Sequence, residues 1–245
     1  MGEAKRRQGQ GGQPARKGSR KFAVYIGLVV VAVALAGALY YLTQPPGPGS
    51  SSLPDVSADT PPFPAELDRY GIAVGPEDAD VVVREFADYQ CPACARFAEA
   101  SQQLKEQYVD SGQVRFVFFD LPLPQHTHAV KAAMAARCAG DQDQYWAMHD
   151  RLFAEQTSWE RADAPGERFA GYAEELGLNM RRFDRCMDSQ LHQEAIEDSR
   201  QVAMQLKIAS TPTVLVNNIP LNSPHWGQLS AVVERELQEA TGSGQ

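Results

Sequence analysis

The hydrophobic pattern changes three times along the chain. From Phe22 to Leu42 the run FAVYIGLVVVAVALAGALYYL carries no charge and leaves no polar face for water. As a helix, 21 residues rise about 32 Å, close to the roughly 30 Å of a bilayer core. The pattern therefore predicts a single transmembrane helix over 22–42. An alternative is a cleaved signal peptide, with Ala34-Leu35-Ala36 as its cleavage site. The apolar run continues past that point to Tyr40 and Tyr41, residues of the kind that settle at membrane interfaces. Residues 43–65 then turn rich in Pro, Gly and Ser, with almost nothing to bury, and predict a tether.

From residue 66 to 245 short apolar runs alternate with helical periodicity, over a length sufficient for one domain with its own core. DVVVREFADY has the look of a strand buried on both faces. From Cys91 the period becomes helical: Cys94, Phe97, Ala98, Ser101, Leu104 and Tyr108 share one face, and Pro92 falls in the first turn, where a helix tolerates it. QVRFVFFDL is a second buried strand, and the order strand, helix, strand implies a right-handed parallel unit. Helical patterns fill about 126–207, through HAVKAAMAARCA, QYWAMHDRLFAEQ, ERFAGYAEELGL (stopped by Gly177), MRRFDRCM and EAIEDSRQVAMQLKI. Strand character returns at TVLVNNIPL, where Asn217-Asn218 suits a hairpin turn. A last helix carries Leu229, Val232, Val233 and Leu237 on one face. The pattern predicts an α/β sheet interrupted by an all-helical insertion.

Charge orients and restricts this layout. Residues 1–21 hold seven Lys or Arg against Glu3, a basic tail that stays in the cytoplasm and sends everything after Leu42 across the membrane. The whole chain has 23 Lys and Arg against 31 Asp and Glu; with that tail set aside, 16 bases face 30 acids, a net charge of −14. Such a domain lacks the basic face that a nucleic-acid partner requires. No glycine-rich phosphate loop, nucleotide fingerprint or fixed-period repeat is present.

Candidate chemistry concentrates in EFADYQCPACARF. Cys91 opens the helix and Cys94 follows one turn later, so the two thiols lie on the same side, within bridging reach. Cys94 belongs to the apolar stripe and is expected to be buried. Cys91 precedes it and is expected to face solvent, where the free N–H groups and dipole of the helix N-terminus favour a thiolate. A nucleophilic sulfur in front of a protected one makes a pair suited to disulfide exchange. Two other readings exist. A zinc site needs four ligands, and Cys138 and Cys186 stand alone; His126 and His128 read as solvated loop residues, so no metal is expected. A static crosslink within one helical turn constrains almost no chain.

EFADYQCPAC, followed by a second strand, a helical insertion and then Ser210-Thr211-Pro212-Thr213, resembles the DsbA family of thiol–disulfide oxidoreductases, from about Tyr70 to the C-terminus. The resemblance implies a thioredoxin-like fold whose only redox group is a Cys91–Cys94 disulfide, with no cofactor. It makes Cys91 the attacking cysteine and Cys94 the resolving one. Glu85 matches the family's buried acid, and its position amid VVVREFADY independently predicts a raised pKa and a proton relay to Cys94; the alternative is an exposed Glu at a strand end. Thr211-Pro212 matches the loop opposite the cysteines, where the resemblance implies a cis bond. There Thr211, with Pro92 and Ala93, would meet an extended substrate. AVKAAMAARCA and FDRCMDS resemble members with an extra cysteine pair, which implies a structural disulfide between Cys138 and Cys186; two free buried thiols are the alternative. The implied substrates are reduced exported proteins, and a DsbB-like membrane partner would reoxidise the dithiol. A reductase or isomerase kept reduced by a membrane donor, and a tethered chaperone without turnover, are the other functions considered. Three residues depart from relatives: Ala93 stands where strongly oxidising members have His, Asn218 where many have Gly, and Gln90 where thioredoxin itself has Trp.

Overall fold

Alternation along two adjacent strands sets the architecture. In the computed structural model, which describes residues 53–57 and 60–242 together with Val24, Gly27, Leu28, Val31 and Val33, strand β2 spans Val81–Ala87 and β3 spans Val114–Asp120. They pair in parallel from Val81↔Val114 to Ala87↔Asp120 at the middle of a five-stranded sheet. Val81, Val83 and Ala87 of β2, with Val114, Phe116 and Phe118 of β3, point into one core; Phe86, Val117 and Phe119 point into another on the opposite face. Two covered faces explain why both strands read as near-continuous apolar runs.

The sheet order is β1-β3-β2-β4-β5, with β1 at Ile72–Val74, β4 at Thr213–Val216 and β5 at Ile219–Pro220. Strand β1 is only three residues long and pairs antiparallel with β3. It ends at Gly75, whose φ of +97° and close approach to the Val114 carbonyl leave no room for a side chain. The β4–β5 hairpin turns at Asn217-Asn218 as the sequence predicts, with Asn217 in the left-handed region (φ 54°). Asn217 is also bound to β2: its N–H donates to the Val82 carbonyl (2.7 Å) and its Oδ1 accepts from the Val82 N–H (3.0 Å).

Helix α1, Pro92–Leu104, continues through a wider π turn over Lys105–Val109, and with the last helix it covers the first face of the sheet. The predicted stripe is real: Cys94, Phe97, Ser101 and Leu104 are buried, and Ala98 and Tyr108 are half-buried. Six helices form the insertion: α2 (Ala129–Gly140), α3 (Tyr145–Ala154), α4 (Gln156–Trp159), α5 (Gly166–Glu175), α6 (Met180–Ser189) and α7 (Gln193–Gln205). Helix α7 returns to the sheet, where Val202 and Ala203 close the second core beside Leu67 of a 3-10 turn, Ala65–Tyr70. Helix α8, Trp226–Gly242, buries Leu229, Val232 and Val233 as expected.

One boundary moves. The tether was expected to run to residue 65, but its C-terminal part packs on the domain. Pro54 is buried, Val56 lies against the first core, and Phe63 stands 6.4 Å from the Phe119 ring with the Arg84 guanidinium 4.1 Å over its face. The compact unit accordingly begins at Ser52. Composition hid this because one aromatic ring, placed over a buried arginine, anchors a stretch that is otherwise polar and proline-rich. Of the predicted 22–42 span, Val24, Gly27, Leu28, Val31 and Val33 are helical; its other positions and the tail 1–21 lie outside the described residues. Among the described residues no helix is long and apolar enough to cross a membrane.

Candidate active site

The end of β2 delivers the chain to the head of α1 through Asp88, Tyr89 and Gln90, and each is tied down. The buried Asp88 carboxylate accepts from the Gln90 N–H (2.7 Å), the Leu123 N–H (2.7 Å) and the His126 ring (2.8 Å). Gln90 bridges into the insertion, its amide donating to the Glu160 carbonyl (2.7 Å) and accepting from the His128 N–H (2.7 Å). Gln156, also buried, donates to the Tyr89 carbonyl (2.6 Å) and the Cys91 carbonyl (3.0 Å). The backbone at the cysteines is thus tied to the helical insertion, through the Gln156 side chain and through the amide of Gln90.

Cys91 is the N-cap of α1 and Pro92 its first residue, a position where the missing proline N–H is no loss. Cys91 and Cys94 both carry free thiols. Cys91 does not face open solvent as expected: it is only 8% exposed, because the Thr211-Pro212 segment lies across it. Its Sγ is 3.6 Å from the Thr211 carbonyl, to which it donates when protonated. The Thr211–Pro212 bond is cis, as the resemblance implied.

The two sulfurs are electrostatically unlike. The Cys91 thiol is brought down to about 5, first by the hydrogen bond from the Cys94 thiol; burial opposes this, while the Thr211 side chain and the N–H groups of Cys94 and Ala93 add to it. The neighbouring thiol therefore contributes more than the helix N–H groups, which are all that the sequence points to. Cys94 is fully buried, and burial, followed by its bond to Cys91, pushes its thiol far above the ordinary range. One sulfur is a thiolate at neutral pH and the other a thiol.

Glu85 lies on the α1 face of β2, in step with Val81, Val83 and Ala87, and is 1% exposed. The exposed alternative is excluded. Its Oε2 accepts from the Ser101 hydroxyl (2.6 Å), while Oε1 is buried with no partner. Burial raises its pKa to about 7, with Ser101 and Lys105 acting the other way. The Glu85 charge in turn adds to the upward shift of Cys94. Ser101 follows Cys94 by two turns on the same face of α1, so one helix carries the buried thiol and the acid's partner.

Beside Cys91 a groove of about 450 Å³ runs between α1 and the start of α8, lined among others by Ala93, Arg96, Phe97, Pro212, His225 and Trp226. Ala93 and Pro212, which line it, are half-buried; of the neighbouring residues, Pro92 is exposed and Thr211 half-buried. His225 and Trp226, some 130 residues from the cysteines, carry no signal in the sequence that ties them to this site. Gln156, likewise unforeseen, carries no local signal: a glutamine becomes structural only through the backbone it meets. Cys138 and Cys186 stand apart from this site and form a disulfide between α2 and α6, with Cα atoms 5.8 Å apart.

Comparison with known proteins agrees with this geometry. The family model described as Thioredoxin matches residues 68–235. The Na(+)/H(+) antiporter NhaA 1 of Salinispora arenicola is 36% identical over 155 residues, covering 63% of this chain and 22% of the antiporter, so the chain spans about a quarter of that relative's length or less. The probable disulfide bond formation protein D of Bacillus anthracis is 28% identical over 68% of this chain and 78% of its own. Among solved structures, alpha-DsbA1 of Wolbachia pipientis shares the fold with a TM-score of 0.64 at 20% identity, over 71% of this chain and 94% of that one. A family match over most of the domain, on a fold that sets two unequal cysteines against a cis-proline, leads to one assignment: the chain belongs to the thioredoxin family.

Proposed function

We propose that the chain oxidises exported proteins, donating a Cys91–Cys94 disulfide to client thiols outside the cytoplasm. The observation that carries this reading is the inequality of the two sulfurs. Holding Cys91 as a thiolate, with a pKa of about 5, favours the reduced enzyme and so makes its disulfide a readier oxidant. A client thiolate attacks the Cys91 sulfur, and the electron pair of the breaking S–S bond passes to Cys94. That sulfur, buried near Glu85, takes up a proton, for which a carboxyl titrating near 7 is a suited donor. The second client thiol, as thiolate, then attacks the mixed disulfide and Cys91 leaves as a stable anion. The half-buried edge at Thr211 and the groove ending at Trp226 would hold the client as an extended segment.

In this reading residues 22–42 anchor the chain, with tail 1–21 in the cytoplasm and the catalytic domain periplasmic or otherwise extracytoplasmic. A DsbB-like membrane protein would restore the disulfide. The uncharged run, its basic flank and the similarity to disulfide bond formation protein D support it. Trapping tests the assignment of roles. Cys94→Ala is expected to accumulate mixed disulfides with clients through Cys91, visible on non-reducing gels, and Cys91→Ala to accumulate none. Equal trapping by both variants, or by neither, overturns it. With a reduced client, an oxidase forms disulfides stoichiometrically; reshuffling of scrambled ones indicates an isomerase, and delayed aggregation alone a chaperone.

A further inference from the structure

Cys138 and Cys186 are 48 residues apart in sequence and offer no metal-ligand spacing. The fold gives them company. Cys138 lies in the last turn of α2, and Asp141 caps that helix. Cys186 lies in α6, after which Gln190, in the left-handed region (φ 54°), reverses the chain. The Leu191 N–H, bound to the Cys186 carbonyl (3.2 Å), fixes the return, and His192 becomes the N-cap of α7. Both sulfurs and a ring nitrogen of His192 lie within 4.8 Å of one another. Asp141 supplies an oxygen, its Oδ2 standing 3.0 Å from His192 Nε2 and 3.5 Å from Cys186 Sγ.

We infer that reduction of the Cys138–Cys186 disulfide opens a zinc site, ligated by the two thiolates, His192 Nε2 and Asp141 Oδ2. Two sulfurs, one imidazole and one carboxylate make a four-donor set of the kind that zinc takes in tetrahedral form. The 5.8 Å between the Cα atoms lets both side chains reach one ion at about 2.3 Å. The ion has a way in, through a groove of about 400 Å³ that opens on Cys138, Cys186 and Asp141. Arg182 and Arg185 line the same groove. They disfavour a bare cation, but two thiolates and a carboxylate with Zn²⁺ carry a net negative charge, which they offset. The disulfide itself cannot bind the ion. Two equivalents of a small thiol supply the two electrons and two protons that open it, and leave as their own disulfide. Zinc then displaces the two thiol protons. Because it binds only the reduced pair, zinc makes the pair easier to reduce and holds α2 to α6 in place of the crosslink.

Cobalt(II) reports such a site by its colour. The test uses the full-length chain with Cys91→Ser and Cys94→Ser, which removes the active-site thiols as competing ligands. After reduction, one Co²⁺ per chain is expected, with thiolate charge-transfer and tetrahedral d–d bands that Zn²⁺ abolishes; the oxidised chain should show none. His192→Ala and Asp141→Asn should each weaken binding at least tenfold. Equilibration with a glutathione couple should show zinc favouring the reduced pair by at least tenfold, or about 30 mV. Circular dichroism should show the zinc-loaded reduced chain folded. Absence of the bands in the reduced chain, equal affinity in the His192 and Asp141 variants, or a reduced chain that unfolds and is not restored by Zn²⁺ overturns the inference.

Discussion

Glu85 and Cys91 are both held away from their ordinary protonation, in opposite senses, and each has a measurable consequence. The native state keeps Glu85 protonated up to about pH 7, whereas the unfolded chain loses that proton near 4.5. The stability this gives is full below the unfolded value and is lost as pH rises through 7. Glu85→Gln stays neutral, so the reduced variant is expected to match its parent near pH 4.5 and exceed it by about 3 kcal/mol above pH 8. Denaturant titrations at the two pH values check this; a difference independent of pH contradicts a buried, proton-holding carboxyl. For Cys91 the sign reverses. Its pKa is depressed to about 5, so the stabilisation of the reduced protein is complete above the unfolded thiol value and is lost as pH falls through 5. Ala93 contributes only its backbone N–H to that thiolate. Ala93→His, adding a donor from its half-buried position, is expected to lower the Cys91 pKa further and raise the reduction potential with it, by about 30 mV for each 1.4 kcal/mol. The pH dependence of Cys91 alkylation and equilibration with glutathione measure the two; if neither moves, the dipeptide does not tune this site.

Between elements, the insertion is joined to the sheet by an ion pair as well as by packing. Arg137 of α2 donates to Asp120, the last residue of β3, at 2.7 Å, with both side chains buried. Asp120→Ala leaves a guanidinium buried without its partner and is expected to destabilise by roughly 3–5 kcal/mol in chemical unfolding. A loss below about 1 kcal/mol, the level of an exposed pair, contradicts the burial described. Neither residue was singled out in the sequence, and the reason is general to this molecule. Features whose chemistry repeats locally were legible: the alternation of β2, the stripe of α1, the cysteine pair at its head and the Asn217 turn. Features made by distant partners were not. Asp88, Gln156 and the Arg137–Asp120 pair look like ordinary polar residues until the fold brings their partners to them. Strand β1 was missed because three residues show no period, and Phe63 because one ring in a proline tract changes no average.

For the molecule as a whole, the two cysteine pairs divide the work. Cys138–Cys186 closes a loop of 48 residues within the insertion, worth about 4 kcal/mol in the chain-entropy model, and in the proposed function leaves exchange to Cys91 and Cys94. The insertion also fixes the backbone of that exchanging pair, through Gln90 and Gln156, so an element that carries neither redox cysteine sets where they stand. What the molecule does then depends on which redox form predominates in the cell. An oxidase resupplied by a membrane partner rests as the disulfide; a reductase or isomerase rests as the dithiol. Acid quenching of living cells, followed by an alkylating mass tag on the free thiols of Cys91 and Cys94, reads this directly. Most of the chain is expected with Cys91 and Cys94 untagged, joined as a disulfide; a population found mainly with both thiols tagged would contradict an oxidase.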